Sequence, residues 1–295
     1  MFGLRFLTFA VILYEKMESR HKIDKLSAAG VLIAFGIIYG DIGTSPLYVM
    51  QAIIGIEAIS QEIVYGALSC ILWTLTLQTT VKYVILILRA DNRGEGGIFA
   101  LYALVRKHAK WLTIPAVIGG SALLADGIIT PPISVSSAVE GLQLIYPDIQ
   151  TIPIVIGILT FIFTIQAFGT TKVGKAFGPL MVTWFLMLAI LGIAQIINHP
   201  EILKAINPVY GYNLLTQHTG GFWMLGAVFL CTTGAEALYS DLGHCGRENI
   251  RISWVFVKIC LILNYFGQGA WLMTEVGNLL NSRKPFYEMM PEWWL

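Results

Sequence analysis

Long apolar runs separated by short charged clusters set the pattern of this chain. The runs fall at about residues 26–59, 63–88, 112–139, 152–168, 177–197, 222–242 and 252–273. A helix needs roughly 20 apolar residues to cross the ~30 Å hydrocarbon layer, so the seven runs predict seven transmembrane helices. They form a membrane core at 26–274, with an arm at 1–25 before it and an extramembrane segment at 275–295 after it. Within the arm, residues 2–14 are apolar apart from Arg5, too few to span. No small-residue cleavage site follows them, so they read as an interfacial helix or as an extension upstream of a start at Met17.

Three runs are irregular. The first contains Tyr39-Gly40-Asp41-Ile42-Gly43-Thr44-Ser45-Pro46 and is too long for one helix. Two glycines and a proline there predict two half-helices joined by unwound backbone. The third run contains Asp126-Gly127-Ile128-Ile129-Thr130-Pro131-Pro132, with a bend expected just beyond the prolines. The sixth contains Thr232-Thr233-Gly234-Ala235-Glu236 and reads as a second broken helix. Runs one and six each carry glycine and an acidic residue at mid-membrane and lie five spans apart, which places them in opposite orientations. That is the pattern of an inverted repeat with broken helices at a midplane site. A five-plus-five repeat would need spans eight to ten, beyond residue 295.

Composition agrees with the membrane reading. Hydrophobic residues make up 56% of the 295 and charged residues only 13%, with a mean hydropathy of +0.70. A soluble domain carries about 25% charged residues. The net charge of +1 is uninformative, but its placement is not. Thirteen Lys and Arg residues lie on one side of the predicted spans: Lys16, Arg20, Lys22, Lys25, Arg89, Arg93, Arg106, Lys107, Lys110, Lys172, Lys175, Arg247 and Arg251. Three lie on the other: Lys204, Arg283 and Lys284. The positive-inside rule therefore puts the N-terminus in the cytoplasm, and the expected location is the plasma (inner) membrane. Trp293 and Trp294 suit the headgroup level.

Cys70, Cys231 and Cys260 lie in apolar runs and Cys245 in a short basic loop, so no disulfide framework is indicated. His244-Cys245 lacks metal-ligand spacing. Gly94-Glu95-Gly96-Gly97 neither follows a strand nor opens the helix of a βαβ unit, so it reads as a tight turn or gate rather than a phosphate cradle. No motif supports an enzyme, a cofactor or nucleic-acid binding. The bilayer is the partner the composition implies.

The candidate chemistry is carboxylate chemistry. A carboxylate near the bilayer centre costs about 2.5–3.5 kcal/mol unless it faces water, pairs with a cation or takes up a proton. Asp41 sits in the first break, and Thr44, Ser45 and Tyr48 add hydroxyls nearby. Carbonyls freed by the glycines are natural ligands for a small cation. The bland alternative is a kinked helix with Asp41 as a cap. Asp126, Thr130 and Ser134 are spaced to share one helical face, unless Asp126 lies in a loop. Glu140, beside Gly141, is open between the outer interface and the pathway. Glu236, with Thr233 and Tyr239 one turn away on either side, needs a partner or a proton as Asp41 does. Asp41 and Glu236 are therefore candidates for a proton relay, or else for a structural pair.

Five motifs carry a family resemblance. GIIYGDIGTSPLY at 36–48, ADNRGEGGIFALY at 90–102, DGIITP at 126–131, SAVEGL at 137–142 and GAEALYSDLGH at 234–244 occur in that order. Together they closely resemble the potassium uptake permeases, the KUP/HAK/KT family. The resemblance implies an all-α polytopic membrane protein of about twelve spans with a leucine-transporter-like inverted-repeat core. It also implies uptake of K⁺ coupled to H⁺, with these two ions as cargo and no cofactor, and leaves a homodimer open. By the same resemblance Asp41 and Tyr48 would supply the span-one part of the ion and proton site, to which Thr44 adds a hydroxyl by its place in the break. Asp126, Thr130 and Ser134 would supply span three, Thr233 and Glu236 span six, and Glu140 a further motif position. K⁺ itself would be held by Asp41, Tyr48, Asp126, Thr130, Thr233 and Glu236. Arg93, Ala125, Pro132 and Cys245 depart from the family pattern without touching a proposed ligand. The competing functions are an amino-acid or organic-cation carrier of the same superfamily, and a non-transporting membrane fragment.

Overall fold

The structure, a computed structural model, describes residues 26–55, 57–107, 110–166, 170–218, 220–281 and 283–291. The expectations for the arm at 1–25 and for Trp293 and Trp294 lie outside the described residues. Every regular element among the described residues is helical. Helix α1 (Ala28–Ile38) opens on Ser27, whose hydroxyl accepts from Gly30 N–H. It bends by 68° into α2 (Gly40–Thr44) and a tight turn at Ser45–Leu47, before α3 (Val49–Ile54). The first break is thus a chain of short, bent helical turns rather than unwound backbone. Tyr39 ends α1, and Pro46, which lacks an N–H, is the second residue of the tight turn.

The second span is α4 (Gln61–Thr74), carried on through Leu75–Leu86 to Arg89. It is continuous, as expected, but Leu75–Leu86 is wound as a π-helix, a rare state often found at functional sites. A short α5 (Ile98–Val105) precedes α6 (Thr113–Val139). Helix α6 runs through Asp126, Pro131 and Pro132, so Asp126 is helical and not in a loop. Next come α7 (Thr151–Gln166), α8 (Thr170–Asn198) and α9 (Pro208–Gln217). The sixth span is α10 (Gly221–Phe229), a tight turn at Leu230–Thr232 and α11 (Ala237–Ser240). It is followed by α12 (Leu242–Cys245), α13 (Arg247–Thr274) and α14 (Pro285–Glu288).

Among the described residues, five helices are long and apolar enough to cross a membrane, and six if the bent first pair counts as one span. The 16 residues of α7 rise only about 24 Å, short of a full crossing. The protein is therefore a multi-pass membrane protein. Leu124 and Ile128 on α6 are 74% and 75% exposed, which water would penalise and lipid would not.

Helices α1, α8 and α13 pack into the core that carries the first break. The approach of α8 to α13 depends on small residues. A Cβ on Gly267 would lie 2.5 Å from Gly192 Cα, so the two backbones are in direct contact. Buried polar groups tie the same helices together. Tyr39 shares a 2.8 Å hydrogen bond with Ser253, and Asn264 donates to the Leu188 carbonyl at 3.0 Å.

Candidate functional site

The two breaks touch. Gly234 has φ +83°, and a Cβ there would lie 2.7 Å from Asp41 Cβ and 3.0 Å from Ile42 N. Only glycine adopts that backbone without strain while letting span six press against the turn that holds Asp41. Span six is interrupted at this point: Thr233 leaves the helix with ψ 130°, and helix resumes at Ala237. The backbone between bonds locally, with Ala235 N–H donating to the Thr232 carbonyl at 2.9 Å. The Tyr48 hydroxyl meets the side chains of Ser45 and Thr233, a second link between the breaks.

Span three completes the cluster. Thr130 donates to Asp126 Oδ1 at 2.8 Å, and the Ser134 and Thr44 hydroxyls share a 3.0 Å hydrogen bond. The i, i+4 stripe expected on α6 is therefore real, and it faces α2. Asp41, Asp126 and Glu236 lie close enough for each charge to act on the others. Three carboxylates gathered in this way require cations or protons for compensation. Asp41 does not cap the second half-helix, which has no side-chain cap.

The carbonyls of the first break are less free than glycine content alone suggests. Gly43 O accepts from Trp184 Nε1 at 2.9 Å, and Pro46 O from Gln268 Nε2 at 2.9 Å. Asp41 O accepts from the Thr44 and Ser45 hydroxyls at 2.9 and 3.3 Å. Side chains of spans five and seven thus occupy two carbonyls of the break. Neither Trp184 nor Gln268 stands out in the sequence, because each sits in an ordinary apolar run.

A cavity of about 490 Å³ opens beside this cluster, lined in part by Asp126, Thr233, Glu236 and Tyr239. Lys82 and Tyr83, from the π-wound segment, also line it. The Lys82 ammonium lies 4.8 Å from the centre of the Tyr83 ring. Sequence reasoning passed over Lys82, although a lone cation within the run at 63–88 was the available signal. At one mouth, the glycine-rich turn seats on span six. A Cβ on Gly96 would collide with the Tyr239 carbonyl, and the Tyr239 hydroxyl donates to Ala90 O at 2.6 Å. Arg247 closes the same region, donating to Leu88 O at 2.8 Å and pairing with Asp91 at 3.1 Å.

Glu140 is not part of this cluster. It pairs with Lys284, accepts from Ser136 at 3.1 Å, and lines a separate cavity with Gln143 and Arg283. Segment 283–291 folds back there, with Phe286 buried and the Tyr287 hydroxyl donating to Ser137 O at 2.8 Å. Burial pushes the Lys284 amine down to about 8.

The described residues thus form a many-helix membrane protein in which two helix breaks touch beside a shared carboxylate cluster. Residues 28–295 match the family described as the K+ potassium transporter integral membrane domain, and the chain belongs to that family. It is 65% identical over 283 residues to a protein of Flavobacterium psychrophilum named "Probable potassium transport system protein Kup". A Cytophaga hutchinsonii protein of the same name is 63% identical over 283 residues, and one from Clostridium perfringens 52% over 295. Each alignment covers 94% of this chain but only 43–44% of the relative, so the chain spans less than half the length of these proteins. No solved structure matches.

Proposed function

We propose that this chain forms the site-bearing part of a secondary transporter that takes up K⁺ together with H⁺. The contact between the breaks of spans one and six carries the reading, because it gathers Asp41, Asp126 and Glu236 beside one cavity. K⁺ would be held by Asp41, Tyr48, Asp126, Thr130, Thr233 and Glu236, with Thr44 and Ser134 completing a hydroxyl-rich wall. A proton on one carboxylate offsets the charge that a single K⁺ leaves uncompensated. The opposed breaks support a leucine-transporter-like repeat, with the N-terminus in the cytoplasm and the protein in the inner membrane. Names of the relatives refer to potassium transport, which supports the same cargo. Glu140 acts at the outer end, where it holds segment 283–291.

The test is uptake of radioactive rubidium against labelled amino acids, using this chain joined to the remainder of the Flavobacterium relative. Rubidium uptake that rises as the outside is acidified is expected. Glu236→Gln should flatten the pH profile. Amino-acid uptake without rubidium uptake would replace K⁺ as cargo, and an unchanged pH profile in the variant would remove Glu236 from proton coupling.

A further inference from the structure

The cavity beside the two breaks holds an ammonium as well as carboxylates. Lys82 lines it together with Asp126 and Glu236. Its segment, Leu75–Leu86, packs against both halves of span six, at Leu230–Thr232 and at Ala237–Ser240. Among the described residues no carboxylate lies within ion-pairing distance of Lys82, and its ammonium rests over the Tyr83 ring. A cation over an aromatic face is held more weakly than one paired with a carboxylate, so it can leave that seat. The π-helical winding is anchored by Trp254, whose Nε1 donates to the Thr80 hydroxyl at 2.9 Å two residues before Lys82. The Tyr83 hydroxyl lies within the field of Glu236, so the Lys82 seat and the carboxylates are neighbours.

The geometry points to Lys82 as a tethered cation that takes the place of the transported ion at Asp126 and Glu236 when the site is empty. This inference rests on the cation-site reading above. With K⁺ bound, the ammonium is repelled and rests on Tyr83. When K⁺ leaves, the flexible lysine stem carries the ammonium to the carboxylates, whose charge is then never left bare in a low-dielectric cavity. The empty carrier can therefore reorient. Lys82 acts through the carboxylates and is a positioning residue, not a K⁺ ligand.

The test compares Lys82→Gln and Lys82→Arg with the parent, in the full-length fusion described above reconstituted into vesicles. Two rubidium measurements are made: one-for-one exchange, which needs only the loaded carrier, and net uptake, which also needs the empty carrier to return. Lys82→Gln should exchange rubidium at the parental rate, lose net uptake by about tenfold, and show a lower KM for rubidium. Lys82→Arg, which keeps the charge and the aromatic seat, should restore net uptake. Parental net uptake and KM in Lys82→Gln would overturn the inference and leave the cation site standing. Loss of exchange together with net uptake would also overturn it, by giving Lys82 a structural role. Absence of rubidium exchange in the parent would instead remove the cation site itself, and this inference with it.

Discussion

Adding one methyl group at Gly234 should unseat the contact between the two breaks. The backbone there has φ +83°, which an L-residue adopts at a cost of about 1–2 kcal/mol. The new Cβ would also stand 2.7 Å from Asp41 Cβ and 3.0 Å from Ile42 N, inside van der Waals contact on both sides. Overpacking of that kind costs roughly 1–3 kcal/mol, and backbone cannot swing aside as a side chain would. Together the effects amount to about 2–5 kcal/mol, a Tm loss of roughly 5–15 °C for a chain of this size. Gly40 supplies the control, since it lies in the same broken span but has nothing within 4 Å of its would-be Cβ. Gly40→Ala should be neutral or slightly stabilising, because alanine favours helix by about 0.5–1 kcal/mol. Gly43 is intermediate: its Cβ would meet Met181 Cε and Phe185 Cζ at 3.1 Å, and the methionine end can move. Thermal melting in detergent, with binding of rubidium as a second readout, gives the order. A Gly234→Ala protein that melts with the parent while Gly40→Ala melts far below it would refute the contact.

Two further outcomes follow from the ends of the spans. Gly96→Ala should lift the glycine-rich turn from Tyr239 and open that mouth of the cavity, so a cysteine placed at Ser240 should react faster with an impermeant thiol reagent; unchanged labelling would show that the turn does not close it. In the loop after span seven, hydrogen bonds from Arg283 and Asn278 hold the Glu275 carboxyl below its ordinary 4.5. A depressed carboxylate stabilises its fold above that value and loses the contribution as pH falls through its folded pKa. Hydrogen-exchange protection of the loop, corrected for intrinsic rates, should therefore drop on acidification below about 4.5 and become pH-independent in Glu275→Gln; persistent protection in acid would contradict the pairing.

Much of this site was legible in the sequence, for a physical reason. Asp41 and Glu236 announce themselves because a carboxylate within an apolar run demands an explanation, and glycine beside each points to a break. The Asp126–Thr130–Ser134 stripe follows from helical spacing alone, and the structure seats it against the first break. What stayed hidden depends on neighbours distant in the chain. The first break bends rather than unwinds, because Trp184 and Gln268 supply the hydrogen bonds that its carbonyls lack. The two prolines of α6 do not end the helix, although composition suggests that they bend it. The π-helical winding at Leu75–Leu86 leaves no signature in hydrophobic periodicity, so the placement of Lys82 beside the carboxylates could not be read from spacing. Residue spacing leaves Glu140 open between the outer interface and the pathway, because its pairing with Lys284 joins residues 144 apart.

If the touching breaks form a cation site, Asp41 is the residue on which that site depends. Asp41→Asn keeps the shape of the side chain and removes its charge, so the turn against Gly234 should survive. The decisive measurement is rubidium uptake by this variant in the full-length fusion, expressed in potassium-uptake-deficient cells and normalised to the amount of protein in the membrane. Parental abundance with uptake reduced to background is expected. Uptake at the parental rate from equal amounts of Asp41→Asn protein would contradict it.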